Sequence, residues 1–120
     1  MKRIIKTTIL LVIIMLSNLG FAEYLNISTD SGEDINPFLL RGPQNSIYLL
    51  WQSNRTGTWD IYMKSYDGIS WSETRSLTSD TLNNENPRAV FDKNEKMWFT
   101  YISSQPKDEY NFHNPFIKTY

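Results

Sequence analysis

Two segments, SIYLLWQS (46–53) and KMWFTYIS (96–103), decide the fold, because they are two copies of one pattern. An offset of 50 residues relates them, and it aligns Tyr48 with Trp98. The same offset relates AEYLNISTDSGEDINP (22–37) to SETRSLTSDTLNNENP (72–87), and an offset of 54 relates DIYMKSY (60–66) to NPFIKTY (114–120). Self-similarity at a period of this length indicates successive copies of one supersecondary unit.

The apolar segments within each copy are short and rich in aromatic and β-branched residues, and Gly, Pro, Asn or Asp bound them. These features are typical of strands rather than helices. We therefore predict four strands in the first copy, at residues 38–41, 46–52, 59–66 and 69–77. Four antiparallel strands in 40 to 50 residues form a β-propeller blade. The predicted fold class is all-β, with antiparallel four-stranded blades of a β-propeller.

The predicted propeller is incomplete. A leading strand (24–28) precedes one blade (38–77), and a partial blade (87–120) holds the first three strands of the next unit. This makes about one and three-quarter blades, where a propeller typically has about four to eight. Two explanations remain open: the chain is the N-terminal piece of a longer protein, or several copies assemble into a ring. Exposed strand edges would favour self-association.

The first 22 residues have the order of a secretory signal peptide. Three basic residues come first, an unbroken apolar run of eight follows at 9–16, and Gly20-Phe21-Ala22 supplies a cleavage pattern. The apolar run is too short for a membrane-spanning helix, which needs about 20 residues. We expect residues 23–120 to form the partial propeller and the mature chain to be secreted or periplasmic, with no membrane span.

Composition narrows the function classes. The chain has 12 basic and 13 acidic residues, and residues 1–22 hold three of the basic ones, so the remainder carries a formal net charge of −4. Such a chain is a poor partner for nucleic acid, whose binding depends on neutralising phosphates. Cysteine is absent. No metal-ligand or cofactor motif is recognised, and we expect no cofactor.

The stretch SYDGISW (65–71) is predicted to be a hairpin turn, with a two-residue loop at Asp67-Gly68 that tolerates positive φ. The stretch resembles the Asp-box, or BNR, repeat of sialidase-like propellers. The residues that match in kind are Ser65, Asp67, Gly68 and Trp71. The surrounding sequence resembles secreted bacterial propellers of the sialidase-like and TolB-like groups. The resemblance implies that the aspartate ties the turn and that the tryptophan packs between sheets, both structural roles.

Strand directions place the links 53–58 and 78–86 on one face of the blade and the Asp67-Gly68 turn on the opposite face. In the resembled sialidases the chemistry occurs on the first of these faces. The ligand candidates there are Arg55, Asp30, Asp34, Asp80 and Glu85. Arg55 could pair with a sugar carboxylate, or it could simply be solvated. The links rich in Asp and Asn could bind calcium through oxygen ligands, or their Asp and Asn residues could only form turns. No residue is assigned a catalytic role.

The leading functional hypothesis is a non-catalytic piece of an exported propeller, acting as a scaffold or a recognition surface for glycans or for envelope or extracellular proteins. The alternative is the N-terminal part of a sialidase-type glycoside hydrolase. In the resembled sialidases, catalysis uses an arginine triad and a tyrosine nucleophile. The chain would therefore hydrolyse glycosides only if further blades completed the propeller. A third hypothesis is a TolB-like propeller that contacts partner proteins in the envelope.

Overall fold

The computed structural model describes residues 24–107 and 110–120, and this part of the chain is all-β. It contains seven strands in two antiparallel sheets, and the described residues include no α-helix. The predicted signal peptide, residues 1–22, lies outside the described residues. Within the described residues both sheets are open, and they do not form a closed propeller.

Sheet 1 has the strand order β1-β2-β3-β4 and sheet 2 has the order β5-β6-β7. The strands of sheet 1 are β1 (Asp34–Arg41), β2 (Ile47–Ser53), β3 (Asp60–Tyr66) and β4 (Arg75–Ser76). A short 3-10 turn, Pro43–Asn45, joins β1 to β2. The strands of sheet 2 are β5 (Asn83–Phe91), β6 (Met97–Lys107) and β7 (Tyr110–Thr119).

The pairing registers show that the two sheets are structural copies. In sheet 1, Ser53 lies opposite Asp60, and in sheet 2, Ser103 lies opposite Asn114. These pairs are related by the offsets of 50 and 54 residues found in the sequence. Because a slip of one residue would move every side chain to the other face, the shared register gives the two sheets the same pattern of inward and outward residues.

A β-bulge recurs at the same position in both copies. The register shifts between Ile35 and Phe38 in β1, and between Glu85 and Arg88 in β5. The bulge holds Asn36 at a φ of 53° and Asn86 at a φ of 55°, both in the left-handed region. Asparagine tolerates this region better than other L-residues. The proline that follows each asparagine lacks an N–H group, which suits a position that the strand ladder leaves unpaired.

Three predicted elements differ from the structure. Residues 24–28 form no strand, and within the described residues they have no strand beside them to pair with. The fourth strand shrinks from 69–77 to Arg75–Ser76, because an isolated Tyr66–Trp71 bridge and a turn occupy the rest. The first strand of each copy begins before its proline, since the bulge carries pairing across the Asn-Pro step.

The core lies between the two sheets. Successive side chains of a strand point to opposite faces, so we call the faces bearing Trp51 and Tyr101 the front faces, and those bearing Leu50 and Trp98 the back faces. The front face of sheet 2 packs against the back face of sheet 1. The buried members of this core are Leu50, Ile61 and Met63 from sheet 1 and Met97, Phe99 and Tyr101 from sheet 2.

Candidate functional site

The structure brings the β2–β3 link together with the segments that precede β1 and β5. The Asn54 backbone N–H donates to the Glu33 carbonyl (3.3 Å), and the Asn84 backbone N–H donates to the Trp59 carbonyl (2.7 Å). The residues between β2 and β3 therefore meet the segment before β1 and the start of β5 at one end of the sheets. The predicted ligand candidates Arg55, Asp30 and Asp80 lie at this end.

Arg55 is the centre of a polar cluster at this end. Its Nη2 lies 2.5 Å from Asp30 Oδ2 and 3.2 Å from Asp34 Oδ1. The same nitrogen reaches Ser28 Oγ, and Nε donates to Ser53 Oγ (3.1 Å). The side chains of the ion pairs are between 17% and 25% exposed. We call these five residues the Arg55 cluster.

Two aromatic rings support the Arg55 cluster from the front face of sheet 1. The guanidinium carbon of Arg55 lies 4.1 Å from the ring centroid of Tyr62 and 5.7 Å from that of Trp51. Trp51 also donates from Nε1 to Asp34 Oδ1 (2.9 Å). A cation over an aromatic face is attracted to the ring quadrupole. These contacts therefore orient the guanidinium group and stabilise its charge.

The pKa of Asp34 is lowered by this environment. Partial burial alone would raise the pKa, but hydrogen bonds from Ser28, Ser53, Trp51 and Arg55 to the carboxylate outweigh burial. Such bonds favour the ionised form. Asp34 is therefore an internal anionic partner of Arg55 rather than a proton donor near neutral pH.

These contacts limit what Arg55 can do chemically. An external carboxylate, such as that of an acidic sugar, would have to compete with two internal carboxylates for one guanidinium. The contacts join residues 28–34 to the loop after β2 and to the face of sheet 1. The geometry is that of a brace that holds the segment preceding β1 in place.

A second polar cluster occupies the equivalent position at sheet 2. The Asp60 carboxylate, only 3% exposed, accepts from Thr78 Oγ1 (2.7 Å) and from Asn84 Nδ2 (3.3 Å). Asn84 Nδ2 also donates to Asp80 Oδ1 (2.8 Å). The offset of 50 residues pairs its members with those of the Arg55 cluster, as Thr78 with Ser28, Asp80 with Asp30, and Asn84 with Asp34. We call Asp60, Thr78, Asp80 and Asn84 the Asp60 cluster.

Glu85, the remaining candidate, lies outside both clusters. It is half-buried in β5, opposite Ile102 and beside the bulge. The sequence analysis also missed Ser28 and Asp60, which belong to the clusters, and Tyr62, whose ring supports Arg55. The repeat alignment held a usable signal, since it already pairs Ser28 with Thr78 at polar positions.

The hairpin turn is wider than predicted. Its loop spans residues 67–70, closed by the Tyr66–Trp71 bridge, where the sequence predicted two residues. Asp67 Oδ1 accepts from the backbone N–H groups of Ile69 and Ser70, both at 2.8 Å, and these bonds lower the pKa of Asp67. Gly68 has a φ of 99°. The ring of Trp71 lies 5.4 Å from that of Tyr66.

Ser65, the second-last residue of β3, lies opposite Tyr48 on the back face of sheet 1. Its backbone N–H donates to Ser72 Oγ (3.0 Å), and its carbonyl accepts from the Ser72 backbone N–H (2.8 Å). These two bonds clamp the strands on either side of the turn. Ser65 therefore contacts Ser72, on the far side of the turn, through its backbone.

A comparison of the chain with known protein families, curated proteins and solved structures found no significant match. Within residues 24–107 and 110–120, no helix has the length and apolar character needed to cross a membrane. Among the described residues, no group of three or more His, Cys, Asp or Glu side chains is placed to hold a metal ion.

Proposed function

We propose that the two sheets are successive blades of an exported β-propeller of the sialidase-like or TolB-like kind, and that the chain acts without catalysis. In this proposal the propeller is a scaffold or a recognition surface for glycans or for envelope or extracellular proteins. The basic, apolar and small-residue order of residues 1–22 supports export.

One observation carries the blade assignment: the two sheets share a register and a bulge, and they stack front to back. Stacking of this kind can continue with the same contacts from one copy to the next. The equivalent asparagines also meet, since Asn36 Nδ2 donates to Asn86 Oδ1 (3.0 Å). Both contact Gln52 Oε1, through the Asn36 side chain (2.8 Å) and the Asn86 backbone N–H (2.9 Å). Such contacts between equivalent residues are typical of radial repeats.

The Arg55 cluster supports a non-catalytic role. An arginine that binds a substrate carboxylate needs free hydrogen-bond donors facing solvent. Here Nε and Nη2 of Arg55 contact Ser53, Ser28 and two aspartates, so a bidentate bond to an external carboxylate, which uses two guanidinium nitrogens, would have to displace one of these partners. These contacts stabilise the segment before β1, which is a structural role and fits a scaffold.

Chemical cross-linking tests the blade arrangement. The chain lacks cysteine, so the pair Asn36→Cys and Asn86→Cys can be joined by a short thiol-reactive cross-linker without interference. We expect rapid cross-linking within one chain in buffer and slow cross-linking in denaturant. The control pair is Ile69→Cys and Asn86→Cys, because Ile69 lies in the hairpin turn. Equal rates for the two pairs would contradict adjacent blades.

A fluorogenic sialoside assay and a glycan array test the function. We expect the purified chain to show no sialoside turnover. If the surface recognises sugars, we expect Arg55→Ala to bind the same glycans as the unmodified chain. Sialoside turnover that Arg55→Ala abolishes, while Arg75→Ala leaves it intact, would replace this proposal with the glycosidase alternative.

A further inference from the structure

We propose that the front face of sheet 1 is a docking surface for the back face of sheet 2 in a second copy of this chain, so that copies associate head to tail. The inference rests on how the two sheets pack against each other. It does not require the propeller assignment or any ligand.

The contact inside the chain shows what each face binds. The front face of sheet 2 covers the back face of sheet 1, and the rings of Phe91 and Tyr48 meet across this interface at 4.9 Å. On the front side Met97 and Phe99 are 1% and 2% exposed. On the back side Leu50 is fully buried. The interface is therefore a front-to-back contact between two copies of one unit.

The free back face of sheet 2 carries apolar residues at the positions that sheet 1 buries. Ile117 is 64% exposed, whereas the equivalent Met63 in sheet 1 is 3% exposed. Val90 is 62% exposed, and its equivalent Leu40 packs against the core. Trp98, 37% exposed, corresponds to Tyr48. Exposed apolar side chains grouped in this way mark an interaction surface.

The free front face of sheet 1 is the matching surface. Leu39, Ile47 and Leu49 occupy the positions that Ala89, Met97 and Phe99 fill in the internal interface. Leu39 is 62% exposed. The segment before β1 reaches this face as far as Leu49, since the Ile27 carbonyl accepts from Lys64 Nζ (2.9 Å) and Lys64 lies opposite Leu49. Ile47 and Leu49 are half-buried. Trp51, the equivalent of Tyr101, is only 4% exposed, so among the described residues the open part of this face is the end that holds Leu39 and Ile47.

Because one kind of face binds the other kind, the contact between copies is heterologous rather than two-fold symmetric. Heterologous contacts close into a ring when the rotation allows it and otherwise extend as a filament. This differs from association through strand edges, since the contact uses the faces of the sheets.

Sedimentation of variants tests the proposal. Leu39→Glu changes the front face and Ile117→Glu changes the back face, while Ile69→Glu is a matched control in the hairpin turn, where Ile69 is 89% exposed. All three side chains are exposed, so each variant should melt like the unmodified chain. We expect each face variant to raise the dissociation constant about tenfold or more, because association would bury an unpaired charge. The control should leave the constant unchanged.

Mixing the two face variants distinguishes a heterologous contact from a symmetric one. Leu39→Glu retains an intact back face and Ile117→Glu retains an intact front face, so an equimolar mixture should form dimers that do not grow further. An unmodified chain that stays monomeric up to its solubility limit would overturn the proposal, as would association that ignores both substitutions. Dimers of Ile117→Glu alone would show a symmetric front contact instead. The intramolecular cross-link between positions 36 and 86 is a separate readout, so the two proposals can fail independently.

Discussion

Removal of the Arg55 side chain should destabilise the protein and release the segment before β1. In Arg55→Ala, the carboxylates of Asp30 and Asp34 lose their cation, and the faces of Trp51 and Tyr62 lose the guanidinium that covers them. The aspartates then remain partly buried beside each other without a compensating charge, which is more costly than the loss of a solvated ion pair.

The expected magnitude lies between two limits. An exposed ion pair contributes about 0–1 kcal/mol, and breaking a fully buried one costs about 3–5 kcal/mol. Arg55 is 17% exposed and holds two carboxylates, so we expect a loss of about 2 kcal/mol in the free energy of unfolding. At about 4–8 °C per kcal/mol for a domain of this size, the melting temperature should fall by roughly 10 °C.

Thermal unfolding followed by circular dichroism measures this change, and hydrogen exchange locates it. We expect faster amide exchange in residues 26–34, because this segment is joined to the sheet through Arg55. The control is Arg75→Ala: Arg75 lies on the exposed strand β4 and contacts Tyr120, with its guanidinium carbon 5.9 Å from the ring centroid. A melting temperature no lower than that of Arg75→Ala, with exchange unchanged in residues 26–34, would refute the brace.

Three further predictions follow from individual contacts. The pKa of Asp34 is lowered in the folded chain. Its contribution to stability is therefore present above the unfolded pKa of about 3.9 and is lost as the pH falls through the lower folded pKa. In thermal melts below about pH 4, the melting temperature should fall more steeply for the unmodified chain than for Asp34→Asn. Gln52→Leu should cost about 1–3 kcal/mol in chemical denaturation, since the buried amide oxygen accepts from the Asn86 backbone N–H; an unchanged midpoint would contradict this. Asp67→Ala should speed exchange of the two backbone amides that its carboxylate accepts from, visible by NMR, without changing the core.

The strands could be predicted because their signal is local. The short apolar, aromatic-rich runs of β2 and β3 appear within seven consecutive positions, and the observed bounds lie within one residue of the predicted ones. The pairing registers of the two sheets are also related by the offsets of 50 and 54 residues that the sequence shows. The all-β assignment and the antiparallel sheets follow from these two features.

The remaining features depend on contacts that are distant in the sequence. Arg55 meets Ser28 and Asp34 across 27 and 21 residues, so no local pattern shows that the arginine is engaged. The short β4 has a similar cause, because the turn takes residues that have strand-like composition. The sequence shows an Asn-Pro step in both copies, at Asn36 and Asn86. The backbone angles were needed to recognise this step as a bulge.

The difference between Asp34 and Asn84, which occupy the same position in the two copies, follows from the charges around them. Asp34 has the guanidinium of Arg55 at 3.2 Å, so a carboxylate is stabilised there. Asn84 lies between the carboxylates of Asp80 and Asp60 and donates from one amide nitrogen to both. A carboxylate at position 84 would face two others and would be repelled by both. The position thus keeps its polarity and hydrogen bonding while its charge matches the local field, which is the adjustment expected of a structural brace repeated from one sheet to the next.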